Sequence, residues 1–134
     1  MNGQDLFYAL TQVAHNFGAV LVLASPLYPI VSGRLLLRNA LWFALAGWSV
    51  QIISGLSFGL VSLHFYGQLP ALHGVAIVAL AIKVISAIGA CALIAFSLRK
   101  GAIRAGSRAI LIWRVLTGLA IVALSSAAFL RWYS

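Results

Sequence analysis

The chain has 134 residues, 63% of them hydrophobic and only 7% charged. Soluble domains carry roughly 25% charged residues, and a chain this short cannot hide so much apolar surface from water, so lipid is the solvent that fits and one domain is expected over residues 1–134. The net charge is +8 with Asp5 as the only acid, which excludes chemistry by paired carboxylates; without basic and aromatic residues interleaved on a polar surface, the positive balance reads as membrane orientation and not as nucleic-acid binding.

A helix needs about 20 mostly apolar residues to cross the hydrocarbon core. Four stretches meet that need, at about 6–31, 39–63, 71–98 and 109–132. The N-terminus, MNGQDLFYAL, lacks the basic start of a cleavable signal peptide, so the first span is expected to stay in the fold. Pro26 and Pro29 lie near its end and should kink or finish it, because proline removes a helix hydrogen bond. Pro70 sits where the third helix should begin. The short connections, SGRLLLR, HFYGQLP and RKGAIRAGSR, make an all-α, up-down four-helix bundle the simplest arrangement.

Arg34 and Arg38 occupy the first connection, and Arg99, Lys100, Arg104 and Arg108 the third, while the second has no Lys or Arg. This bias places the first and third connections in the cytoplasm and both termini on the outer, periplasmic side of a bacterial inner membrane. Phe65, Tyr66, Trp132 and Tyr133 then fall where an outer aromatic belt would lie. Cys91 is alone in an apolar run, so no disulfide forms within the chain and a small packing residue is expected. Gly55 and Gly59, in GLSFG, have the small-xxx-small spacing of close helix packing.

Ionisable groups deep in a span are functional candidates by default. At ~1.5 Å per residue, His15 lies ~14 Å and Lys83 ~18 Å from the outer ends of their spans, and Gln51 a similar distance from the inner end of its own, so all three fall near the midplane. Each helix carries a stripe of polar or small residues expected to face inward. These are Gln4, Tyr8, Thr11, His15, Gly18 and Ser25 in the first, and Gly47, Gln51, Gly55 and Ser62 in the second. Lys83, Ala87 and Ala90 make the third stripe, and Arg114, Gly118, Ile121 and Ser125 the fourth.

A mid-span lysine costs about 2.5–3.5 kcal/mol on insertion scales, and this chain has no intramembrane acid to pair with it. Lys83 therefore sheds its charge, snorkels, or meets a propionate, a phosphate, a quinone oxygen or an acid on another subunit. His15 is a candidate haem ligand, proton carrier or quinone hydrogen-bond donor, or else a buried histidine bonded to a neighbour such as Gln51. His64 and His73 flank the second connection and could share a metal with each other, or hold one with His15. They are a poor depth match for His15 in a bis-histidine haem, and no CxxCH haem attachment is present. Arg114 either reaches the inner headgroups or holds an anionic cofactor group.

LTQVAHNFGAVLVLAS in the first span and WSVQIISGLSFG in the second resemble segments of small bacterial four-helix proteins, the copper-resistance D-type membrane domains and HemJ-like protoporphyrinogen oxidases. The matching elements are His15, and Gln51 with Ser54 and Gly55. The resemblance implies a four-helix fold with a haem-, porphyrin- or copper-related role, and in the HemJ-like pattern His15 would pair with a basic residue in a later span, Lys83. The chain departs from the group in lacking intramembrane acids and copper-binding methionines. The leading expectation is a small subunit of a redox or electron-transfer complex, set in the lipid bilayer against other membrane subunits, with a haem b or quinone near His15 and Gln51, Lys83 and Arg114 as further cofactor contacts. The rival expectations are a free-standing HemJ-like or copper-resistance-type protein and a purely structural packing subunit.

Overall fold

A computed structural model describes residues 3–67, 73–100 and 106–133. Among them all regular secondary structure is α-helix: α1 (Gly3–Ser32), α2 (Arg38–Tyr66), α3 (Val75–Lys100) and α4 (Gly106–Tyr133). All four are long and apolar enough to cross a membrane, as expected of a multi-pass membrane protein. Pro70 and Arg104 lie outside the described residues.

The helix ends follow from local chemistry. Gly33, with φ of +69°, closes α1, and Gly67, also at +69°, closes α2 by donating its N–H to the Leu63 carbonyl at 3.0 Å. Side chains with a Cβ rarely take that left-handed conformation. Neither Pro26 nor Pro29 finishes α1: both lie inside the helix, fully buried, and it continues to Ser32. Their neighbours in the bundle enclose both rings.

The helices stand in a ring, with α1 beside α2 and α4, and α3 beside α4 and α2, so α1 and α3 face each other diagonally. The α1–α2 and α3–α4 seams are the most extensive, and α2–α3 is the slightest. Contacts of Gln4 with Tyr66, His15 with Ser54 and Leu21 with Gly47 run in opposite senses along α1 and α2, which makes the pair antiparallel.

Packing is uneven along the bundle. Val22, Pro26, Pro29, Leu41, Trp48, Ile94, Ser97, Trp113 and Leu116 are fully or almost fully buried, and all lie in the half next to the α1–α2 and α3–α4 connections. In the other half the interior positions of α3 and α4 are held by small residues, Ala76, Ala79, Ser86, Ala87, Ala120, Ala123 and Ser126, while α1 buries nothing before Gly18 and α2 nothing after Ser54. Large apolar side chains such as Phe7, Phe17, Leu56, Ile85 and Ile88 point outward. In lipid that is no penalty, since tails are as apolar as leucine and helix association rests on packing and interhelical hydrogen bonds.

Two expected features are corrected. The stripe Arg114, Gly118, Ile121 and Ser125 faces outward, and α4 turns Ala109, Ile112, Trp113, Leu116, Ala120 and Ala123 inward. Two tryptophan-sized spaces and an alanine seam fill this interior better than a stripe headed by an arginine. Nor does GLSFG bring helices together: Gly55 is exposed, and neither it nor Gly59 has an atom within 4 Å of where a Cβ would stand. The close approach occurs at Gly47, where a Cβ would lie 2.7 Å from Leu21 Cβ and 2.9 Å from the Val22 nitrogen, and at Gly18, where it would lie 3.0 Å from Val50 Cγ1.

Candidate functional site

The crossing of α1 and α2 at Gly18 and Gly47 determines what sits one turn away. Gly18 has no side chain to keep the Gln51 amide at a distance: a Cβ there would stand 3.1 Å from Nε2. That amide donates to the backbone carbonyl of His15 at 2.5 Å. Gln51 is 5% exposed and Ser54 4%, and they are the last two buried residues of α2. A buried amide without a partner would cost about 1–3 kcal/mol, so its use inside the helix seam is a structural requirement.

The His15 ring is held on three sides. Nδ1 lies 2.7 Å from Ser54 Oγ. Nε2 lies 3.3 Å from Lys83 Nζ, which arrives from the diagonally opposed α3. The Phe58 ring stands edge-on at 5.7 Å between centroids and also stacks on Tyr8 at 6.2 Å. Further along the same seam Gln4 donates to the Tyr66 hydroxyl at 2.8 Å. The expected polar stripe of α1 therefore does face α2, and it leads from the helix ends at Gln4 and Tyr66 to the His15–Lys83 pair. The pair itself sits where the tightly packed half of the bundle stops.

Among the described residues no carboxylate stands beside Lys83. Asp5, the only acid, lies ten residues before His15 on α1, about 15 Å along the axis. Desolvating an ammonium is expensive unless it is paired and hydrogen-bonded. Among the described residues the polar partner of Lys83 is an imidazole nitrogen, which accepts one hydrogen bond and carries no compensating negative charge.

His15, Gln51 and Lys83 are thus brought together, with Gln51 bonded to the His15 backbone and not positioned as a free ligand group. Arg114 is not brought to them: it is exposed on α4 beside Trp113, whose indole reaches the Leu35 carbonyl at the far end of the bundle. His64 and His73 are exposed, and His64 lies ten residues beyond Ser54 on α2, about 15 Å along the axis. Among the described residues no three histidine, cysteine or acidic side chains gather closely enough to hold a metal ion. Ser54 and Phe58 complete the site. Ser54 entered the sequence reading only through the family resemblance and not through the stripe of α2, whereas Phe58 gave no signal among so many apolar residues. Comparisons with protein-family models, with curated proteins and with solved structures give no match for this chain.

Proposed function

We propose that this chain is a small multi-pass subunit of a redox complex in a bacterial inner membrane, with both termini outside. At its His15–Lys83 pair an oxygen-bearing redox ligand, a quinone or a haem b, would meet it. The observation that carries the reading is Lys83: a half-buried amine whose polar neighbour among the described residues is the His15 imidazole, with no acid in reach. A quinone carbonyl or a haem propionate would accept the N–H bonds that His15 leaves unused. A haem fits in part: His15 offers one axial imidazole, and Lys83 would turn from the ring to a propionate, because it now occupies the direction of Nε2. Bound there, either group would supply reversible electron transfer within the bilayer, while the chain's residues orient it and exclude water.

The same contact favours a second reading, a free-standing HemJ-like porphyrin protein, since the pairing of His15 with a later basic residue is what that resemblance implies. A copper-resistance role draws no support from the described residues, which offer no metal cluster.

The test is purification from native membranes in mild detergent, followed by a visible spectrum and titration with decylubiquinone. Haem bands that His15→Ala abolishes, or quinone binding that Lys83→Met weakens tenfold or more, would support the redox site. Loss of one charge-assisted hydrogen bond, about 1.5–3 kcal/mol, predicts that scale. Co-purifying subunits separate the leading reading from the free-standing one. A colourless protein that purifies alone, binds no quinone and ignores both substitutions would reject both and leave a packing role.

A further inference from the structure

The hydroxyl of Ser54 has one hydrogen and two neighbours that compete for it. Its oxygen lies 2.5 Å from the Val50 carbonyl one turn earlier and 2.7 Å from His15 Nδ1. The carbonyl can only accept, so the hydroxyl hydrogen goes to Val50, as serine commonly bonds back to its own helix. A second backbone acceptor, the Gln51 carbonyl at 3.4 Å, lies on the same side. The Ser54 oxygen is then left to accept, and Nδ1 must carry a hydrogen in order to donate to it. The reverse arrangement would press two oxygen lone pairs together at 2.5 Å.

We infer that Ser54 is the positioning residue of this site, holding His15 in its Nδ1–H form so that the Nε2 lone pair accepts from Lys83 and the amine's other hydrogens face an incoming ligand.

The chain of donors then runs one way: Lys83 to His15, His15 to Ser54, Ser54 to the Val50 carbonyl, where it ends. Gln51 supports it by holding the His15 backbone carbonyl, which sets the height of the ring against Ser54. One consequence is chemical selectivity. The site presents hydrogen-bond donors, and so takes a ligand with an oxygen acceptor, a carbonyl or a carboxylate. This rests on the proposed function for the ligand's redox character, but the tautomer is a property of the protein alone.

The test uses the full chain in detergent or nanodiscs with 15N-labelled histidine, in a background of His64→Gln and His73→Gln that leaves His15 as the only histidine. Nitrogen shifts and one-bond proton couplings at neutral pH identify which ring nitrogen bears the hydrogen. The expected result is Nδ1–H in the parent, conversion to Nε2–H in Ser54→Ala, and return to Nδ1–H in Ser54→Thr, which keeps the hydroxyl. Ser54→Ala should also weaken decylubiquinone binding about tenfold, the worth of one hydrogen bond near 1.4 kcal/mol, with Ser54→Thr restoring it. A parent protein with Nε2–H overturns the inference, as does Nδ1–H that persists in Ser54→Ala. Because the tautomer is read with no ligand added, a failure of quinone binding tells against the proposed function and leaves the nitrogen shifts to decide this one.

Discussion

Two buried tryptophans stand in opposite hydrogen-bonding states. Trp113 donates its indole N–H to the Leu35 carbonyl at 2.8 Å, tying α4 to the α1–α2 connection. Trp48 is 2% exposed, and its Nε1 has no partner among the described residues. The two substitutions to phenylalanine remove similar volume, but only one removes a bond and leaves a carbonyl unpaired. Trp113→Phe should therefore cost about 1 kcal/mol more than Trp48→Phe. Unfolding in mixed micelles with increasing SDS measures the difference, and equal losses would show that the indole–carbonyl bond has no net worth. Neither tryptophan stood out in the sequence as structural, since an indole's partner can be any carbonyl the fold brings near. His15 and Lys83 did stand out, because the cost of ionisable groups in lipid is independent of the fold.

At the scale of helices, the α1–α2 seam depends on glycine at the crossing. Replacing a helical glycine by alanine usually gains up to about 1 kcal/mol in helix propensity. At Gly47 the added Cβ would meet Leu21 Cβ and the Val22 backbone nitrogen, neither of which can turn aside, and overpacking of that kind costs about 1–3 kcal/mol. Gly47→Ala should destabilise, while Gly55→Ala, with nothing within 4 Å, should be neutral or stabilising. The same unfolding assay reads both signs; a stabilised Gly47→Ala would mean that the seam is looser than its geometry. Small-xxx-small spacing alone pointed to the wrong pair of glycines. The motif states that a close approach is possible, and only the partner helix determines where it happens.

For the whole molecule, the asymmetry of charge and the asymmetry of packing coincide. Arg34, Arg38, Arg99 and Arg108 are exposed at the end where the bundle is tightly filled, while Phe65, Tyr66 and Trp132 are exposed at the other. With basic residues in the first and third connections and none in the second, a periplasmic phosphatase fused after Ser134 should be active, and a cytoplasmic reporter fused there silent. The opposite pattern would invert the orientation and put the polar seam from Gln4 to His15 on the cytoplasmic side.

Composition and hydropathy alone determined that the chain forms four helices able to span a bilayer, and placed their limits within a few residues: 6–31 against Gly3–Ser32, and 39–63 against Arg38–Tyr66. That follows because backbone hydrogen bonds in lipid must be made within each segment, so span length is a local property. The inward stripes of α1 and α3 were legible for a related reason, as a polar or small face has few other places to go. What only the tertiary structure decided is which faces meet. It turned Arg114 outward, buried two prolines in a continuing helix, and moved the close contact from Gly55 to Gly47. It also joined His15, Ser54 and Lys83 from three helices into one chain of hydrogen bonds. Such pairings depend on interlocking shapes between helices, and no period within one helix records the shape of another.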